Sequence, residues 1–205
     1  DKTTTGYLYW SNMFSDMGRT ISHSGVLNIA SCVLFIVSVT ILCISFLPFY
    51  YMFSNYFMKN TRDENPSRIA LVCGFISSFL LLLAAWLPQD LFPELHLRLA
   101  QFVFVFLVPV VFLYYILIKR NDHYPKFYAN TYLVFGIILL ITIVVIAASG
   151  DPVNDLIVNI QATFQKIIVI TWNAAMFIQA YGAWDVIVKQ ENNKGKNNSL
   201  TNKFK

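Results

Sequence analysis

Charged residues are scarce: 13% of the 205 residues are Asp, Glu, Lys or Arg, against about 25% in soluble domains. With 57% apolar residues and a positive mean hydropathy, a soluble fold of this length could not hide its apolar surface. Lipid is therefore the solvent expected for much of the chain. The net charge of +4 is too small, and too concentrated at the C-terminus, to argue for a nucleic-acid partner. Cysteine is rare too. Cys32, Cys43 and Cys73 all fall inside apolar runs with no CxxC spacing, so they read as packing residues, not disulfides or metal ligands. No GxSxG, P-loop, dinucleotide fingerprint, HExxH or HxxxH is present. No cofactor is expected, and residues 1–25 lack the basic-then-apolar order of a signal peptide.

What is present is a set of apolar runs divided by a short polar hairpin, WLPQDLFPELHLR, from Trp86 to Arg98. It holds two prolines, two carboxylates, a histidine and an arginine, but no lysine. The runs predict an all-α, polytopic membrane helix bundle with five spans, at about 28–54, 68–87, 97–118, 127–149 and 156–188. Pro48 and Pro109 interrupt the first and third spans and predict kinks. The cluster Pro48, Phe49, Tyr50, Tyr51 and Phe53 reads as an interfacial aromatic belt. Residues 1–27 are too polar to span and too aromatic for a free tail; Tyr7, Tyr9, Trp10 and Phe14 suit a segment lying at the membrane surface. Ser24-Gly25 reads as a turn before the first span. The Asn- and Lys-rich stretch 189–205 predicts a disordered tail.

Lys and Arg give the orientation. Eleven (Lys59, Arg62, Arg68, Lys119, Arg120, Lys126 and five tail lysines) fall on one side, against Lys2, Arg19 and Arg98 on the other. A positive-inside bias of that size places the C-terminus in the cytoplasm of a cell-membrane protein and residue 1 outside. Asp1 is not methionine, and an outside N-terminus needs a signal or a preceding span, so a sixth span upstream is expected.

That topology collects Asp16, Arg19, His23, Asp90, Glu94, His96, Arg98, Asp151 and Asp155 on the extracytoplasmic side. Polar groups held near lipid are costly and mark candidate sites. In span five, Asn159, Lys166 and Asn173 recur every seven residues and share one helix face, while Gln161 and Gln165 sit one turn apart on a neighbouring face. One reading points Lys166 into the bundle as an anion- or headgroup-binding cation, paired with Asp90, Glu94 or Asp16. The other makes Lys166 and Asp185, about 28 Å apart along a helix, the two boundary charges of the span. His23 and His96 lack metal-ligand spacing and no metal is assigned to them. Asp16 and Arg19, three residues apart, can form a local ion pair, and Asp90 can shape the turn before Pro93.

FSDMGRTISHSGVLN at Phe14 to Asn28, followed by a span, resembles the opening of a prokaryotic multi-pass membrane family catalogued as domain of unknown function 998. LPQDLFPELH at Leu87 to His96 is similar to that family's acidic loop, and MFIQAYGA at Met176 to Ala183 to its last span. The resemblance covers nearly the whole chain, with Met17 where leucine is usual. It implies six spans and singles out Ser15, Asp16, Gly18, Arg19, Asn28, Asp90 and His96. It implies no activity.

Three functions compete. The first is a membrane protein that binds a lipid or small ligand through Arg19, Arg98, Lys166, Asn173, Gln165 and Glu94, or serves as a homo-oligomer or a subunit of a membrane complex. The second is an intramembrane lipid-modifying enzyme using Asp16, Asp90 and His96 as acid/base or metal groups. The third is a small transporter, for which Pro48 and Pro109 would mark discontinuous helices.

Overall fold

The computed structural model describes residues 6–150 and 154–201, with the backbone alone for 187–188 and 190–201. Five helices follow a short 3-10 turn at Phe14–Gly18: α1 Ile29–Phe57, α2 Thr61–Trp86, α3 Pro93–Arg120, α4 Lys126–Ser149 and α5 Asp155–Thr201. All five are long and apolar enough to cross a membrane. The all-α bundle is thus as the apolar runs predict, and compatible with an integral membrane protein.

The boundaries follow local chemistry. α2 starts at Thr61, ahead of its expected start near Arg68. The Asn60 side chain accepts from the Arg62 N–H at 3.1 Å, Asp63 and Glu64 occupy the first turn, and Glu64 pairs with Arg68 at 2.6 Å. Pro66 lies inside this first stretch, where the carbonyl it leaves unpaired, that of exposed Arg62, meets water. α3 opens on Pro93, whose missing N–H costs nothing at the first helical position, and ends on Lys119 and Arg120, favoured at a helix C-terminus. α1 and α3 run unbroken past Pro48 and Pro109. α5 continues to Thr201, through the stretch whose composition predicts disorder; a helix already nucleated extends at one hydrogen bond per residue, and Lys189 pairs with Asp185 one turn back.

Helices adjacent in sequence pack side by side, and α5 returns to α1 where Trp172 meets Phe46, ring centroids 5.3 Å apart. Phe46, Tyr50, Phe53 and Phe57 recur at helical spacing on one face of α1 and are buried. Tyr50 and Phe53 therefore belong to the core, not to an interfacial belt; of that cluster Tyr51 and Pro48 face outward. The rings of Tyr114, Tyr124 and Tyr132 complete the aromatic column, and Tyr114 shares a 2.8 Å hydrogen bond with Ser54. Outside, Leu34, Phe79, Val144 and Phe177 are exposed, as lipid-facing residues must be.

The connections alternate between two ends. The N-terminal segment and the α2–α3 and α4–α5 links lie at one, here the cap end. The α1–α2 and α3–α4 links, with Lys59, Arg62, Lys119, Arg120 and Lys126, lie at the other, the basic end.

Candidate functional site

The N-terminal segment is a folded cap. After the 3-10 turn the chain makes a tight reversal, where Ser22 N–H donates to Val26 O at 2.9 Å and Ile21 bridges to Leu27. Gly25 takes φ 84°, a conformation an L side chain resists, so Ser24-Gly25 is the turn its sequence suggests. Asp16 holds the 3-10 turn from within, its Oδ2 accepting from the Met13 N–H at 2.8 Å. Its Oδ1 lies 3.1 Å from His23 Nε2.

Three ties fasten the cap to the bundle. The first is the Asp90 carboxylate of the α2–α3 link, which accepts from Thr20 Oγ1 at 2.5 Å and from the backbone N–H groups of Thr20 and Ile21 at 3.0 Å. Burial works to raise this carboxyl, but the Thr20 and Ile21 donors outweigh it and hold it below the ordinary carboxylate value. Next to it, Ser15 Oγ donates to Gln89 Oε1 at 3.3 Å. The second tie is α5. Gln165 Oε1 accepts from the Phe14 N–H at 2.7 Å, and Lys166 Nζ donates to the Asn12 carbonyl and, at 3.2 Å, to that of Ala162. Lys166 is 1% exposed, and its ammonium sits 5.3–5.8 Å from the ring centroids of Tyr7, Tyr9 and Phe14. The third is α1. Asn28 Nδ2 donates to Arg19 O at 3.0 Å, Ser31 Oγ to Met17 O at 2.9 Å, and Cys32 Sγ to Gly18 O at 3.1 Å. Gly18 is packed so closely on Phe35 that an added Cβ would come within 2.6 Å of the ring.

Lys166 thus points inward, as the first reading has it, buried beneath the cap about three turns into α5. No described ion pair joins it to a carboxylate. Its heptad partner Asn173 donates to its own helix, to Val169 O at 2.8 Å. Gln161 closes the end of α4, donating to Gly150 O at 2.7 Å.

Under the cap hairpin lies a cavity of about 90 Å³, room for a few waters or one phosphate-sized group, lined by Tyr7, Asp16, Arg19, Ser22, His23 and Ser24, among others. Arg19 does not pair with Asp16; its Nε donates to Ile21 O at 3.2 Å, and its Nη nitrogens bond to no described residue. Desolvation, then the Asp16 charge, then Tyr9 push the Tyr7 phenol up to about 12, so it is a neutral donor at physiological pH.

The anticipated acid/base trio is not one constellation. His96 Nδ1 meets the Leu87 carbonyl at 2.9 Å, locking the α2–α3 link, while Asp90 is committed to Thr20 and Ile21. The histidine within reach of Asp16 is His23. Glu94 and Arg98 are exposed on the first turns of α3, Asp155 is exposed at the start of α5, and Asp151 falls outside the described residues. Compared with family models, with curated proteins and with solved structures, the chain matches none. Among the described residues no three histidine, cysteine or carboxylate side chains cluster closely enough to share a metal ion. Sequence reading passed over Asn12, Thr20, Ser22 and Gln89, because small polar residues carry no spacing signal of their own.

Proposed function

We propose that this is a multi-pass cell-membrane protein whose cap lies at the extracytoplasmic surface and receives the polar head of an outer-leaflet lipid or a similar small anion. The observation that carries it is the cavity in which Arg19 offers unengaged Nη donors beside Ser22, Ser24 and the Tyr7 hydroxyl. Free guanidinium donors suit a phosphate oxygen, and the hydroxyls beside them are held in place, Tyr7 donating to Asn12 O at 3.2 Å and Ser22 Oγ to Val26 O at 3.0 Å. The exposed rings of Tyr9 and Trp10 on the same cap suit an interfacial depth. The eleven-to-three bias in Lys and Arg supports the orientation. The likeness to the domain of unknown function 998 family belongs to the same proposal. All seven residues it singles out line the cavity or fasten the cap and its link, which is why a sequence of this kind would carry them.

The test is to purify the protein from its membrane and count bound lipid by native mass spectrometry. Arg19→Gln is expected to reduce retention of phosphate-bearing lipid about tenfold, the loss of one charge-assisted contact. A wild-type protein that carries no ligand and ignores added lipid removes the reading. A second reading keeps the same cavity but makes it catalytic, because Asp16 orients the exposed His23 imidazole as a general base requires. It predicts that His23→Gln abolishes lipid turnover while retention survives.

A further inference from the structure

At the basic end, between the α1–α2 and α3–α4 links, lies a second polar cavity of about 230 Å³, walled by Tyr56, Phe57, Lys59, Asn60, Asp63 and Asn121. Asp63 is 6% exposed, yet its Oδ1 accepts no hydrogen bond. Arg120 places Nη1 3.7 Å from that oxygen, an ion-pair distance too long for a hydrogen bond. The other oxygen, Oδ2, already accepts from Asn60 Nδ2 at 3.3 Å. A buried carboxylate oxygen with its lone pairs unused is a costly arrangement, and a ligand donor relieves it. Lys59 is exposed, its ammonium 5.9 Å from the centre of the Tyr56 ring.

Tyr56 also lines a neighbouring cavity of about 240 Å³ between α1 and α5. There Phe49, Met52 and Phe53 face Ala180, Ala183 and Trp184, and the two alanines leave open what larger side chains would fill. A charged chamber at the helix ends thus shares a wall with an apolar groove inside the candidate spans. A polar head joined to a hydrocarbon chain has that shape.

We propose that the two cavities form one binding site for an anionic phospholipid whose headgroup carries a free hydroxyl. The phosphate lies against Lys59, the hydroxyl donates to Asp63 Oδ1, and an acyl chain fills the groove past Ala180 and Ala183. Arg120 decides between a hydroxyl and an ammonium as donor. A guanidinium beside the same carboxylate oxygen repels an incoming ammonium, so an ethanolamine head is disfavoured. Arg62, Lys119 and Lys126, at the helix ends that flank these links, add to the attraction for a negatively charged lipid. None of this depends on the cap cavity, which lies at the other end of the bundle.

The experiment titrates the full chain in detergent with phosphatidylglycerol, phosphatidylethanolamine and tail-free glycerophosphoglycerol, counting bound molecules by native mass spectrometry. Phosphatidylglycerol is expected to be retained about tenfold over phosphatidylethanolamine and at least tenfold over the tail-free head. Lys59→Glu should remove most of that retention, and so should Ala183→Phe, which plugs the groove and leaves the polar chamber alone. Asp63→Asn should flatten the preference between the two lipids; should it fail to fold, the other two variants still decide. Equal retention of both lipids overturns the proposal, as does retention unchanged in both Lys59→Glu and Ala183→Phe. Tail-free head binding as well as the lipid rejects the groove. The Arg19→Gln protein, which lacks the cap ligand, separates the sites: there the preference for phosphatidylglycerol should persist, and adding Lys59→Glu should abolish it.

Discussion

Lys166 of α5 and Asp90 of the α2–α3 link both hold the cap, and each is an ionic group that the cap itself solvates. An ammonium buried in a low-dielectric bundle costs several kcal/mol unless polar groups replace its water. Here the replacements are the Asn12 and Ala162 carbonyls and three aromatic faces, two of the rings and one carbonyl from residues 7–12 of the cap. Lys166→Met keeps the length of the side chain but leaves the Asn12 carbonyl with only the 3.2 Å bond from the Tyr7 hydroxyl, which should loosen the cap by about 1–3 kcal/mol. Amide hydrogen exchange over residues 12–20 should then speed up roughly tenfold or more, and unchanged exchange would show the lysine to be incidental. Asp90 adds a pH dependence whose sign is set by its lowered carboxyl. Because the folded value lies below the unfolded one, its stabilisation is present above about pH 4 and fades as pH falls through the folded value. Protease cleavage near Thr20 should rise on acidification below pH 4, and Asp90→Asn should show the raised rate already at pH 7. The heptad of Asn159, Lys166 and Asn173 was visible in the sequence, but the partner of Lys166 was not. Asn12 lies 154 residues away and offers a backbone carbonyl, which every residue has.

Among elements, the close approaches are made where glycine faces an aromatic ring. Gly74 of α2 lies against Tyr50 of α1, and Gly182 of α5 against Tyr128 of α4, where an added Cβ would come within 2.9 Å and 2.7 Å of ring atoms. Gly182→Leu should therefore wedge α5 from α4, costing about 1–3 kcal/mol by overpacking. Thermal unfolding in detergent should show the lowered midpoint, whereas Gly6→Leu, which meets nothing within 4 Å, should leave it unchanged. The five helices were legible because each must hide its backbone polar groups from lipid, and about 20 apolar residues in a row announce it. Less legible was which face each helix turns inward. Lipid-facing and core-facing residues are equally apolar, so Tyr50 and Tyr51 look alike in sequence although one is wholly buried and the other 56% exposed. The same ambiguity hid Asp63, which reads as one more charge in a polar link until α2 is seen to begin at Thr61 and turn it inward.

For the whole molecule, both proposals concern the two ends of one bundle, and the membrane orientation decides which leaflet each end meets. The structure fixes that the cap and the basic links lie at opposite ends; the side of the membrane is carried by charge asymmetry alone. Labelling of single cysteines in intact cells decides it. The native thiols make a quiet background, since Cys32 and Cys43 are buried and Cys73 is partly so, all within the candidate spans. Val26→Cys, on the exposed edge of the cap hairpin, should react with a membrane-impermeant maleimide without permeabilisation. Asp122→Cys, whose native side chain is 99% exposed in the α3–α4 link, should react only once the membrane is opened. The reverse pattern would put the cap in the cytosol. The Arg19 cavity would then face the inner leaflet and the Lys59–Asp63 chamber the outer one, against the retention of basic loops on the cytoplasmic side that the bias of eleven to three predicts.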